Sequence, residues 1–139
     1  LALLLYLDAL YRGCSDVTVC RDRRPRVYQT YGTNLIGFIH GDGIKKTSVM
    51  AGVMAEEARA AWSQSLHRHI YTGHFHNEVT ETDNSYGVVR HQLPSLSGPD
   101  RHSYLHGYFG SPKTLPVYIH DYYKGLRQVI YSAPPSTIQ

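Results

Sequence analysis

Apolar and polar residues alternate with two different periods along this chain, and the switches between them mark out its elements. Leu1 to about Tyr11 carries leucines and tyrosines at helical spacing, and Gly13 follows where a left-handed residue closes a helix. Val17 and Val19 alternate within Asp16 to Cys20, the period of a short strand. Arg26 to Thr30 and Asn34 to His40 read as two further strands around a Tyr31-Gly32-Thr33 turn. The second is a nearly unbroken apolar run through Leu35, Ile36, Phe38 and Ile39, the pattern of a strand buried on both faces. From Thr47 or Ser48, either of which suits an N-cap, apolar residues recur at Met50, Met54, Ala58 and Ala61-Trp62. Glu56, Glu57 and Arg59 lie elsewhere on the wheel, so this is an amphipathic helix with Trp62 in the core.

A short strand, His69 to Thr72, follows and is closed by Gly73. Strand, helix, strand forms a βαβ unit, whose two strands run parallel. The remainder is β-rich: Tyr86 to Leu93, then a hairpin of Val117 to Tyr123 and Leu126 to Tyr131 around Lys124-Gly125. Ala133-Pro134-Pro135 opens a loose tail over residues 133–139. No repeat or linker divides the chain, so residues 1–139 are expected to form a single α/β domain.

Composition narrows the partners only a little. Lys+Arg 14 against Asp+Glu 11 leaves a net charge of +3, too small a bias to argue for nucleic acid on its own. The apolar opening from Leu1 to Leu7 is neither a signal peptide nor a membrane span. It lacks a basic leader, and Asp8 and Arg12 arrive well before the ~20 apolar residues a spanning helix needs. It also starts on leucine inside a helical pattern, which reads as a fragment of a longer domain. Cys14 and Cys20 fit no zinc spacing. They can pair, but one bridge is a thin framework, and we read them as reduced, buried thiols of a cytoplasmic protein.

Histidine is the over-represented chemical residue, at nine in 139. His40 ends the first strand of the βαβ unit, and His74 and His76 follow directly on the second. Parallel strands joined by a crossover bring their carboxyl ends to one sheet edge, where open α/β sheets place their sites. Gly41, Gly43 and Gly73 allow the backbone to turn sharply there. Neutral imidazole binds zinc, manganese and iron, so His40, His74 and His76 form a candidate metal site. Asp42 is either a carboxylate orienting a ligand histidine or a cap of its own turn. Lys45 and Lys46 either meet a substrate phosphate or remain solvated before the helix. His67 and His69 are weaker ligand candidates, and His91, His102, His106 and His120 read as surface or packing residues. Ser95, Ser97 and Asp100 lie in a loop that can border the site, but Gly-x-Ser-x-Gly is missing, which argues against Ser95 as a nucleophile. The twelve tyrosines can stack on nucleic-acid bases, although tyrosine is ordinary in strands.

At these residues the sequence resembles the calcineurin-like metallophosphoesterase superfamily, which includes phosphatases and nucleases. The resemblance rests on Phe38-Ile39-His40-Gly41-Asp42 and Tyr71-Thr72-Gly73-His74-Phe75-His76, and it extends over most of Leu1 to Tyr131. Phage and bacterial members are the most similar type, with a Leu-Pro-Ser-Leu segment like Leu93-Pro94-Ser95-Leu96. The resemblance implies the C-terminal half of a layered αββα sandwich with mixed sheets. It implies two divalent ions (Mn, Fe or Zn) in the complete domain, His40 and His74 on one and His76 on the other. Phosphomonoesters, phosphodiesters or nucleic-acid ends would be hydrolysed by metal-bound hydroxide. The family's Asp-x-His, its bridging aspartate and its Gly-Asn-His-Asp/Glu motif, with the catalytic histidine, are all expected upstream of Leu1 and not within this chain, so catalytic residues are not assigned and the chain is expected to be inactive alone. The alternative is a non-catalytic β-rich binding or structural module whose histidines hold one ion or none. A half-domain would also expose a sheet edge through which copies associate.

Overall fold

In a computed structural model of the chain, the described residues are 2–75, 77–95, 105 and 113–132. Helix α1 (Ala2–Leu10) is followed by strands β1 (Arg26–Tyr31) and β2 (Asn34–Ile39), helices α2 (Thr47–Glu57) and α3 (Arg59–Gln64), and strand β3 (His67–Thr72). Strands β4 (Val79–Asp83), β5 (Val88–Gln92), β6 (Leu115–Asp121) and β7 (Gly125–Ser132) complete the described elements. The fold is mixed α/β. Five strands form one mixed sheet in the order β1-β2-β3-β5-β4, and β6-β7 form a separate antiparallel hairpin.

The expected βαβ unit is present. β2 and β3 pair in parallel from Asn34 opposite His67 to Ile39 opposite Thr72, and β5 extends the sheet in parallel beyond β3. Alternation along β3 then divides two layers. Ile70 faces α2 and forms the core with Leu35, Met50, Ala51, Met54 and Val88, all essentially inaccessible to solvent. His67, His69 and Tyr71 face the other way, toward the hairpin.

The hairpin is pinned at its tip. Asn34, fully buried at the start of β2, donates from Nδ2 to the carbonyls of Tyr31 (2.7 Å) and Asp121 (2.8 Å). The Thr33 amide donates to Tyr122 O at 2.9 Å. Gly32 (φ +56°) has no room for a side chain, because a Cβ would lie 2.0 Å from Tyr122 O. Toward the opposite end Phe38 remains 48% exposed, although the Tyr131 hydroxyl of β7 donates to Glu78 just before β4. The apolar β2 run is therefore covered on both faces only over its first half.

Several expectations change. Asp16 to Cys20 forms no strand: it has no partner strand to complete its hydrogen bonds, and alternation alone does not supply one. Cys14 and Cys20 are free but exposed rather than buried, since the whole segment lies off the sheet. The helix after His40 is broken at Ala58 (φ −116°, ψ 36°). Trp62 in α3 is half-buried at the margin of the core, with the Arg68 guanidinium 4.2 Å from its ring. The N-cap is Lys46, and the Thr47 hydroxyl instead donates to Glu81 at 2.6 Å. Among the described residues no helix is long and apolar enough to cross a membrane. The expected tail at 133–139 lies outside the described residues.

Asn34→Ala leaves the Asp121 carbonyl without its donor beneath the hairpin tip. Urea denaturation is expected to show a loss of about 1–3 kcal/mol. A change within ±0.5 kcal/mol would contradict the pinning role.

Candidate metal edge and the histidine layer

His40 leaves the end of β2 and His74 follows β3 after Gly73, and the parallel register carries both to one edge. The Gly73 amide donates to His40 O at 3.1 Å, fastening the two strand ends together. His40 Nε2 and His74 Nδ1 lie 3.3 Å apart, with the rings edge to face at a centroid distance of 5.1 Å. Two nitrogens bound tetrahedrally to one ion at 2.0–2.1 Å are separated by about 3.3–3.4 Å, so this pair has the spacing of two ligands on a single ion. An N–H···N bond between neutral rings also suits that distance.

His74 occupies a strained position. Its φ is 69°, making it the one non-glycine residue with positive φ among the described residues. The Phe75 amide donates to Gly73 O at 2.9 Å, closing a three-residue turn around it. This is the positive-φ γ-turn, the rarer and more strained of the two forms. Such conformations cost about 1–3 kcal/mol and gather at functional sites. Gly41, directly after His40, also has a positive φ of +100°.

The loop between His40 and α2 is held from below. Arg90, 8% exposed, donates to Lys45 O at 2.7 Å and pairs with Glu81 at 3.0 Å. Glu81 in turn accepts from Thr47. Lys45 Nζ stands 5.8 Å from the Phe75 ring centroid at the mouth of the edge. Asp42 is exposed and makes no hydrogen bond or ion pair to either histidine. His76, Ser97 and Asp100, as well as His102 and His106, lie outside the described residues. Among the described residues no group of three or more histidine, cysteine or acidic side chains is arranged to hold a metal ion. The sequence does contain one Asp-x-His, Asp100-Arg101-His102, but it follows the Gly-His-x-His segment and is also outside the described residues.

A second histidine group occupies the layer between sheet and hairpin. His69 Nδ1 and His91 Nε2 are 3.0 Å apart, and the His120 ring meets His69 edge-on at 4.9 Å. Asn34 uses its Nδ2 on two carbonyls, so its Oδ1 accepts from His120 Nδ1–H at 3.4 Å. His120 Nε2 is then the acceptor for the Tyr71 hydroxyl at 2.7 Å. His69 and His91 are buried, His120 half-buried, so these are packing residues, and His91 is not at the surface. The signal for the layer is the period-two placement of His67, His69 and Tyr71 on β3, matched by Tyr118 and His120 on β6. Burial, followed by the repulsion of neighbouring imidazoles, pushes His69 down to about 3 and His91 down to about 4. His120 is lowered for the same reasons. Burial also raises Tyr71 and takes Tyr118 up to about 12.

Between about pH 6.5 and 4 the unfolded chain binds protons at His69 and His91 that the folded chain does not. Stability is thus complete above about 6.5 and falls as the pH drops, at up to about 1.4 kcal/mol per pH unit for each ring. In chelator, the melting temperature is expected to decline from pH 7 to pH 5, while most carboxylates remain ionised. A flat profile would contradict the buried neutral layer. His74→Gly should relieve the turn and stabilise the metal-free chain by about 1 kcal/mol, read by urea titration; a clear destabilisation would show that the turn is unstrained. No protein-family model matches this chain, and neither does any curated protein or solved structure.

Proposed function

We propose that this chain supplies one side of the metal centre of a calcineurin-like metallophosphoesterase, with His40 and His74 as ligands to one divalent ion and His76 as a ligand to a second. The observation that carries this reading is the 3.3 Å separation of His40 Nε2 and His74 Nδ1 at the ends of adjacent parallel strands. The strained turn at His74 supports it, because a simple surface histidine has no use for a positive φ. The mixed sheet with α2 on one face and a hairpin on the other is compatible with half of a layered sandwich.

Divalent ions at such an edge supply Lewis acidity toward a phosphoryl oxygen and lower the pKa of bound water. The chain's own contribution is positional. The parallel register holds the two imidazoles at ligand spacing, and Arg90 fixes the loop that carries His40 into α2. Lys45 provides a positive charge beside the edge for an incoming phosphate. Two adjacent dications repel unless a carboxylate is shared between them, and no such carboxylate joins His40 and His74 among the described residues. The chain by itself therefore holds a single, weakly bound ion and turns over little or no phosphate ester. The second reading, a structural module with no bound ion, is favoured by the fact that 3.3 Å also suits a hydrogen bond between the rings.

Calorimetric titration with zinc and manganese separates the two. One ion is expected per chain, with affinity falling at least tenfold in His40→Ala and in His74→Ala but unchanged in His91→Gln. Absence of binding by the parent chain, or equal binding by all four proteins, would overturn the proposal. Phosphodiesterase activity with manganese is expected in a longer form that includes residues preceding Leu1, and its loss on His74→Ala ties the reaction to this edge. Inactivity of that form with Mn, Fe and Zn would exclude the phosphoesterase.

A further inference from the structure

The hairpin is pinned at its tip through Asn34 and tied again near its other end by the Tyr131 hydroxyl, which donates to Glu78, and a cleft of about 290 Å³ lies between hairpin and sheet. Its sheet wall is Ile36, Phe38 and Tyr71, with Leu93 following β5; its hairpin wall is Pro116 and Tyr118, and His120 lies at the closed end. Phe38 and Tyr71 are near-parallel, 25° between planes at 5.9 Å, and Tyr118 meets Tyr71 edge-on at 4.6 Å. Tyr118 thus rests against Tyr71, and the half-exposed Phe38 ring beside them presents the face left open to another ring. The size approaches the lower end of small-ligand pockets, and the aromatic lining with a few polar atoms is typical of them.

The lining of the cleft follows β2 toward the histidine edge. Asn34 and Asp121 mark the closed end; four residues on, Phe38 lines the open part, and His40 is two residues beyond it, on the same side of the strand direction. Leu93 donates its amide to Thr72 O at 2.8 Å, next to Gly73. A group seated against Phe38 thus lies roughly 7 Å along β2 from His40, within reach of an ester oxygen.

We infer that this cleft seats the flat aromatic ring of a phosphate ester, an aryl or nucleoside phosphate, with the phosphate directed at the His40–His74 edge. The inference rests on the proposed metal site for the phosphate but not for the ring. Aromatic stacking against Phe38 favours aromatic over aliphatic esters. The ring would stack on the open face of Phe38, beside Tyr118.

Ligand-detected NMR on the intact chain tests this with four probes: 1-naphthol, 1-naphthyl phosphate, adenosine monophosphate and glycerol 2-phosphate. In chelator, the two naphthyl probes are expected to bind, and glycerol 2-phosphate is not. Adenosine monophosphate binding as well as the naphthyl compounds selects a nucleoside source; binding of the naphthyl compounds alone selects an aryl one. Phe38→Ala should weaken ring binding at least fivefold, and Leu93→Trp, which fills the slot, should abolish it with the circular dichroism spectrum unchanged. Failure of every aromatic probe to bind, or binding indifferent to both substitutions, would overturn the cleft. With zinc added, naphthyl phosphate should gain affinity over naphthol, and His74→Ala should remove the gain. Ring binding without that gain would overturn the metal reading and leave the cleft standing.

Discussion

The parallel pairing of β2 with β3 is the constraint on which the rest of this structure depends. It places Ile39 opposite Thr72 and so delivers His40 and His74 to one edge from positions 34 residues apart. The same pairing sets the two faces of the sheet. One carries Leu35 and Ile70 beneath α2, and the other carries Asn34, His69 and Tyr71 beneath the hairpin. A shift of one residue would exchange those faces, putting imidazoles into the apolar core and leucines under a polar hairpin.

The hairpin layer is polar where most interlayer contacts are apolar, and that gives it direction. Asn34 spends its amide on backbone carbonyls, which fixes His120 in one tautomer, and Tyr71 completes the chain of donors. Neutral rings are needed for this arrangement, and burial keeps them neutral. The polar contacts concentrate toward the tip, and near the other end the Tyr131 hydroxyl donates to Glu78. The cleft lies between these contacts, and Phe38 in its lining is two residues before His40 along β2.

Much of this was readable in the residues. The apolar run of β2, the helical spacing of Met50 and Met54, and the glycine-flanked His40 and His74 each follow from local rules. The strand at Asp16 to Cys20 was misread because period-two alternation says nothing about whether a partner strand exists. β4 was missed because Val79-Thr80-Glu81-Thr82-Asp83 is an edge strand, mostly polar and exposed, with no buried face to reveal it. The histidine layer was undervalued for a different reason. Each of His69, His91 and His120 is unremarkable alone, and only the docking of β6 against β3 makes them neighbours. The role of Arg90 in holding the His40 loop likewise depends on a contact 45 residues away in sequence.

Two groups of histidines thus occupy one small sheet: an exposed pair at its edge, with His74 in a strained turn, and a largely buried cluster in its interlayer. Nitrogen-15 NMR of the imidazole side chains during a zinc titration distinguishes them directly. The account predicts that His40 Nε2 and His74 Nδ1 move to metal-bound shifts together, at one ion per chain, while the His69, His91 and His120 signals stay fixed. Movement of the interlayer signals, or no movement at His40 and His74, would contradict it.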